Sequence, residues 1–452
     1  MPFIPHTQND VAEMLQAINI AEISQLFDEI PKSIPHADLN HIPEGMNELT
    51  TSQHMNAVAS LQPKTKNYIG AGAYEHHIPA AVWDLVSRGE FMTAYTPYQA
   101  EASQGSLQLI YEFQSMITAL TKMDVSNASL YDGATGLAEA VLMAVRSQKK
   151  AKKRILMPAT VHPHYRETVK SIVHQQHIEL VECPFDLKTG LIDQAALEKC
   201  GEEGFDALVI PFPNFFGNLE SIDVLTDWAH ARDAFVIAVV NPMALGLLKA
   251  PGDWGQLINN RQGADIVCGE LQPFGMPLAS GGPYAGMMCC KQELVRQMPG
   301  RIIGQTVDQE GKRGFVLTLQ AREQHIRRSK ATSNICTNQG LLVTAATIYM
   351  SLMGAKGIHA TALKSHQNLN TLLNLLKEKN IQPVFDAAYF HERVIRIPNA
   401  VEVARQCAEK GILIGLCLEV YYPNHPELKD CVLVCVTETK TQEDLRAYCE
   451  AI

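Results

Sequence analysis

The 452-residue sequence is short of several features that would narrow its role. It has no basic excess: the formal net charge is −10. That argues against nonspecific binding to nucleic acid or an anionic membrane, since both require a basic face. It opens Met1-Pro2-Phe3-Ile4-Pro5-His6, without a basic segment followed by an apolar run, so no secretory signal is read there. Its longest apolar stretch, Leu341 to Met353, is interrupted by Thr344, Thr347 and Ser351. It is too short and too polar for a membrane span and reads as a buried helix. The 11 cysteines include no Cys-x-x-Cys pair; the nearest features are Cys289-Cys290 and Cys431 with Cys435. The expectation is reduced thiols in a cytoplasmic protein, with no metal or redox role. Internal repeats and low-complexity segments are also absent.

What is present is the composition of a globular protein with a large core, 46% apolar and 19% charged. The length suits two or three domains, at roughly one per 100–200 residues. Residues 1–66 read as a helical arm. Asn9-Asp10 can cap a helix through Met14, Ile18 and Ile20, and a second short helix covers 24–27. Pro31, Pro35 and Pro43 then break the chain, and a helix over 50–61 precedes Pro63. Residues 67–337 read as a large α/β domain. Strands are expected at 128–130, 155–157, 178–181, 207–210, 235–240, 264–267 and 285–290, with helices at 137–145, 165–174 and 221–232. Alternation of this kind predicts a mostly parallel sheet with helices on both faces. Residues 338–452 read as a long apolar helix and a small α+β domain, with helices at 358–380, 401–410 and 441–448 and strands at 393–397 and 432–436.

Chemistry gathers at a few points. Asp132-Gly133-Ala134-Thr135-Gly136 lies between a strand and a helix, where Gly133 and Gly136 allow a tight turn and the helix start offers N–H groups to an anion. A plain strand-to-helix turn would read the same. His162 is either a flat ring for stacking at the sheet edge or a loop histidine satisfied by neighbours. His164 and the pair His76-His77 have no carboxylate or cysteine at ligand spacing beside them, so no metal is expected. Asn241 ends the strand at 235–240. Cys268-Gly269-Glu270-Leu271-Gln272-Pro273-Phe274 follows the strand at 264–267, and the nearest lysines are Lys249 and Lys291. Arg322-Glu323-Gln324-His325-Ile326-Arg327-Arg328 and 331–339 combine basic groups with hydroxyl and amide donors. They read as a solvated, capped loop or as an anion-binding segment at an interface.

Several of these segments together resemble one family. They are Tyr68-Ile69-Gly70-Ala71-Gly72-Ala73-Tyr74-Glu75-His76-His77-Ile78-Pro79, Tyr95-Thr96-Pro97-Tyr98-Gln99-Ala100-Glu101-Ala102-Ser103-Gln104-Gly105, Asn127 to Thr135, Gly281-Gly282-Pro283-Tyr284-Ala285-Gly286 and Arg322 to Gln339. The family is the glycine dehydrogenase (decarboxylating) P-protein, specifically its N-terminal half, and the resemblance spans nearly the whole chain. It implies a fold-type-I transferase-like architecture of the enzymes that use pyridoxal phosphate (PLP). At half the family's full length, the chain corresponds to the α subunit of the two-subunit form.

In that family the second half carries the lysine-bound PLP. The resemblance therefore implies PLP on a partner β subunit, and no catalytic residue in this chain alone. Counting back from Gly281-Gly282-Pro283 puts Gln272 where the lysine would stand; counting forward from Asp265 puts Pro273 there. Asn241 replaces the carboxylate that pairs with the pyridine nitrogen. His162, Asn241, Gln272, Gly133 and Gly136 then outline a degenerate pocket. Glycine would be the substrate and the lipoyl arm of the H-protein the acceptor, with the T- and L-proteins as further partners. Thr337 and Asn338 are candidates to reach the partner's PLP across the interface. Tyr95, Tyr98 and Gln99 shape either an entrance or this subunit's own packing. Two other readings stay open. An independent PLP enzyme would need a lysine after the strand at 264–267. A PLP-free scaffold would only stabilise the β subunit or dock the H-protein.

Overall fold

The computed structural model describes residues 5–35 and 39–452. Residues 1–4, on which part of the reading of the N-terminus rests, lie outside them. The chain divides into two compact units, one ending at Pro63 and the other running Lys64–Ile452.

The first unit contains two helices, Gln8–Ala17 and Glu48–Ser60, and a 3-10 turn, Ile23–Phe27, in place of the expected second helix. Thr7, rather than Asn9 or Asp10, caps the first helix, in a reciprocal box with Asp10. No residue of these three elements is buried.

The second unit is built on a seven-stranded sheet: β1 Val125–Ser126, β2 Arg154–Pro158, β3 Glu179–Cys183, β4 Ala207–Phe212, β5 Phe235–Val240, β6 Ile266–Glu270 and β7 Gly286–Cys290. The order is β1-β7-β6-β5-β4-β2-β3. Strands β2 to β6 run parallel, and β7 is antiparallel to both neighbours. Successive side chains of a strand point to opposite faces, and here they enter two separate cores. Leu156, Leu208, Ile210, Val236, Ala238 and Val267 face one core, with Phe113, Leu225 and Tyr349 from covering helices. Ile155, Met157, Val209, Ile237, Ile266 and Cys268 face the other, with Leu137, Val141 and Val169. Both faces are thus sealed, as the apolar runs require.

Two local readings need correction. The strand expected at 128–130 lies at Val125–Ser126; only Leu130 makes a bridge, to Gly286. The segment 264–267 enters the sheet two residues late, as Ile266–Glu270. A helix Gln104–Thr121 and a hairpin, Ile302–Val307 with Arg313–Thr318, were not anticipated. The long helix Gly340–Glu378 is two helices joined at Gly354, where φ is 58° and ψ −178°. It is long and apolar enough to cross a membrane by composition, yet half of its most apolar window is buried inside the protein. Its second half packs Leu369, Leu372 and Leu376 beneath a three-stranded antiparallel sheet of Glu392–Arg396, Cys431–Cys435 and Leu416–Cys417.

Candidate functional site

The carboxyl ends of β2, β4, β5 and β6 open onto one cavity of about 80 Å³, in the position where open α/β sheets bind ligands. Its lining includes His162, Tyr165, Asn214, Asn241, Glu270, Gly72, Tyr74 and Glu392, and no lysine or arginine.

From this lining Glu270 reaches the start of the helix Gly133–Ser147. Asp132 caps it by accepting from the Thr135 N–H at 2.8 Å. The N–H of Gly133 donates to Glu270 Oε2 at 3.0 Å. The other oxygen, Oε1, accepts from the N–H groups of Gln272 and Ala285 at 3.2 and 3.3 Å. One carboxyl therefore gathers three backbone donors from three segments. Burial, with the Asp132 carboxylate adding to it, pushes the Glu270 carboxyl up to about 8 against the pull of those donors. A Cβ on Gly133 would stand 2.2 Å from the Tyr165 hydroxyl, so only glycine fits there. Gly136 is buried in the same helix.

His162 caps the helix Pro163–Val173. Its Nε2 lies 2.9 Å from the Ala71 carbonyl, and its Nδ1 accepts from the His164 N–H at 3.1 Å. That pattern requires the neutral tautomer with the proton on Nε2. Burial lowers its pKa to about 4, in agreement. The ring stacks on Tyr165, with centroids 5.0 Å apart, and meets Phe215 edge-on. Asn241 Oδ1 accepts from the Met243 N–H, while its buried Nδ2 has no partner.

Gln272 is 1% exposed and fully committed. Its Oε1 accepts from the Tyr74 N–H at 2.7 Å, and its Nε2 donates to the carbonyls of Tyr74 and Met276, both at 2.8 Å. The segment it holds, 68–77, straps the cavity mouth. Glu392 holds the same strap, accepting from the Ala71 N–H at 2.7 Å and the Tyr74 hydroxyl at 2.8 Å. Glu438 accepts from the His77 N–H and pairs with His76 Nδ1 at 2.7 Å, a carboxylate that sequence spacing did not place beside His76. Among the described residues no group of His, Cys, Asp and Glu is placed to hold a metal ion.

Thr337 and Asn338 do not line this cavity. The buried Arg301 guanidinium donates to the Thr337 hydroxyl, to the Cys336 carbonyl at 3.0 Å and to the Tyr98 hydroxyl at 3.0 Å. Asn338 donates to the Ala128 carbonyl at 3.3 Å. Tyr95 is 85% exposed. Arg322 donates to the carbonyls of Gly300 and Leu319, so it props its own loop, whereas Arg327 and Arg328 are exposed. Sequence reasoning missed Glu270, Glu392 and Arg301. The first had a signal, an acidic residue closing the apolar run of β6. The other two had none, because their partners come from distant segments.

The family model described as glycine cleavage system P-protein matches residues 1–452. A relative from Thioalkalivibrio sulfidiphilus, described as probable glycine dehydrogenase (decarboxylating) subunit 1, is 58% identical over 100% of this chain and 99% of its own length. A crystal structure of glycine decarboxylase (P-protein) of the glycine cleavage system, in inhibitor-bound form, superposes with a TM-score of 0.86 and 37% identity, covering 100% of this chain and 99% of that one. A sphingosine-1-phosphate lyase from Burkholderia pseudomallei shares the fold, with a TM-score of 0.63 and 14% identity over 93% of each chain.

Proposed function

The chain belongs to the glycine cleavage system P-protein family, and from that premise we propose a division of labour between it and a second subunit. It is an enzyme subunit of glycine dehydrogenase (decarboxylating) in the glycine cleavage system. In our reading it is the subunit that bears no imine-forming lysine, and the covalent chemistry belongs to its β partner.

The observation that carries this reading is Gln272, which with Pro273 is one of the two positions where the amine would be expected, and whose amide is fully occupied by backbone groups. PLP does not fit the residues of this chain. It asks for an amine to meet its aldehyde, a carboxylate beside its ring nitrogen and donors for its phosphate. Here stand Gln272 and Pro273, Asn241, and a helix start already bonded to Glu270. His162, Asn241, Gln272, Gly133 and Gly136 thus read as a disused pocket. PLP would be held by the β subunit, where it would supply the electron sink for loss of CO2 from glycine. The aminomethyl group passes to the oxidised lipoyl arm of the H-protein, whose disulfide is reduced, and the T- and L-proteins act on the loaded and reduced arm in turn. Thr337 and Asn338, fixed by Arg301 and Ala128, are the residues we assign to the partner's cofactor site. The setting is cytoplasmic.

The test is to purify this subunit, the β subunit and the pair, then measure glycine–bicarbonate carboxyl exchange with H-protein present. Exchange is expected only from the pair, and imine absorbance only where β is present. Full exchange by β alone would sink the obligate role. Thr337→Ala in the pair should weaken PLP retention, and unchanged retention would remove Thr337 from the shared site.

A further inference from the structure

A helix start beside a cavity attracts anions, because its first N–H groups lack intrahelical partners and the helix dipole adds to their pull. In this chain that start is already served from within. Gly133 N–H bonds to Glu270, Thr135 N–H to the Asp132 side chain, and Gly136 N–H to the Asp132 carbonyl. Glu270 arrives from the end of β6, a separate element, and its second oxygen is fixed by Gln272 and Ala285. The carboxyl is therefore held like a bound ligand, with three backbone donors converging on it and the Tyr165 hydroxyl close above Gly133.

We propose that Glu270 is a built-in acceptor that takes the helix-start position a ligand phosphate would use, and so closes this cavity to phosphorylated compounds. The proposal rests on the reading of the cavity as a disused cofactor site. The excluded class is phosphate monoesters: the donors Glu270 holds are those a phosphate would need, and its carboxyl fills the same place. The lining holds no lysine or arginine to offer a phosphate countercharge in their stead. Removing the carboxyl frees the Gly133, Gln272 and Ala285 N–H groups together. It opens a space continuous with the cavity edged by His162 and Asn241.

Inorganic phosphate and pyridoxal 5′-phosphate, titrated separately into the full chain, give the test. Wild type and Glu270→Gln, which keeps the bulk and an acceptor oxygen, should bind inorganic phosphate weakly. Glu270→Ala should bind it about tenfold more tightly or better, as read by equilibrium dialysis. Glu270→Ser, whose hydroxyl can still meet one N–H, is the second variant should alanine disturb folding, and wild-type circular dichroism qualifies either. A folded Ala or Ser variant with no gain in phosphate affinity overturns the proposal, as does wild type already binding as tightly. Inorganic phosphate has no ring, so its gain judges Glu270 alone. Visible imine absorbance from wild type with pyridoxal 5′-phosphate would instead overturn the reading of the cavity as disused.

Discussion

Glu392 ties two groups of the strap with one carboxyl, and burial pushes that carboxyl up to about 7. A carboxyl raised above its unfolded value stabilises the fold fully below that value, and the contribution is lost as pH rises through the folded one. The window therefore runs from 4.5 to about 7, and the loss across it is on the order of 3 kcal/mol. Glu392→Gln removes the titration. Its melting temperature should fall less steeply than that of wild type across this window, and parallel curves would refute the assignment. At this scale the sequence was uneven. His162 and Asn241 were legible because each ends a recognisable strand or turn. Glu392 was not, because its strap partner Ala71 lies 321 residues away, and no local pattern carries that distance.

Among elements, the strap shows how a short motif comes to need its glycines. Gly70 has φ of +59°, and a Cβ there would stand 2.3 Å from the Cys435 Cβ. Gly70→Ala therefore meets both backbone strain and a clash. It should cost roughly 2–4 kcal/mol in denaturant unfolding, and a cost under about 1 kcal/mol would show that the strap can move aside. The strands of the sheet could be read from their apolar runs, since burial on both faces makes them continuous. The helix Gln104–Thr121 was equally periodic, with Leu107, Ile110, Phe113 and Ile117 buried, but lay under the tail of the Tyr95–Gly105 motif. The hairpin could not be read, because Gln305, Thr306 and Val307 are exposed and show no alternation. The break at Gly354 falls between the apolar stretch ending at Met353 and the helix expected from 358, so it was legible where the apolar run stops.

Across the molecule, every buried cluster among the described residues lies in Lys64–Ile452. The first unit instead exposes Met14, Ile23, Leu26, Phe27, Leu49 and Met55. Apolar side chains in such number suit a contact surface. A chain beginning at Lys64 should keep a cooperative unfolding transition and lose affinity for the β subunit, measured by calorimetry and by sedimentation. Undiminished association would free the arm of that role. The mostly parallel sheet with two covered faces was legible as a class; the order of its strands was not, since pairing is settled by contacts between distant segments. The clasp between Gln272 and Tyr74 bears on how this chain could change. A lysine at 272 has donors but no acceptor for the Tyr74 N–H, so it would loosen the strap before it met any cofactor. It would also face a helix start still held by Glu270. Gaining an amine at this position would thus cost the strap its clasp at the first step, so a few ordinary hydrogen bonds make this corner of the fold resistant to piecemeal change.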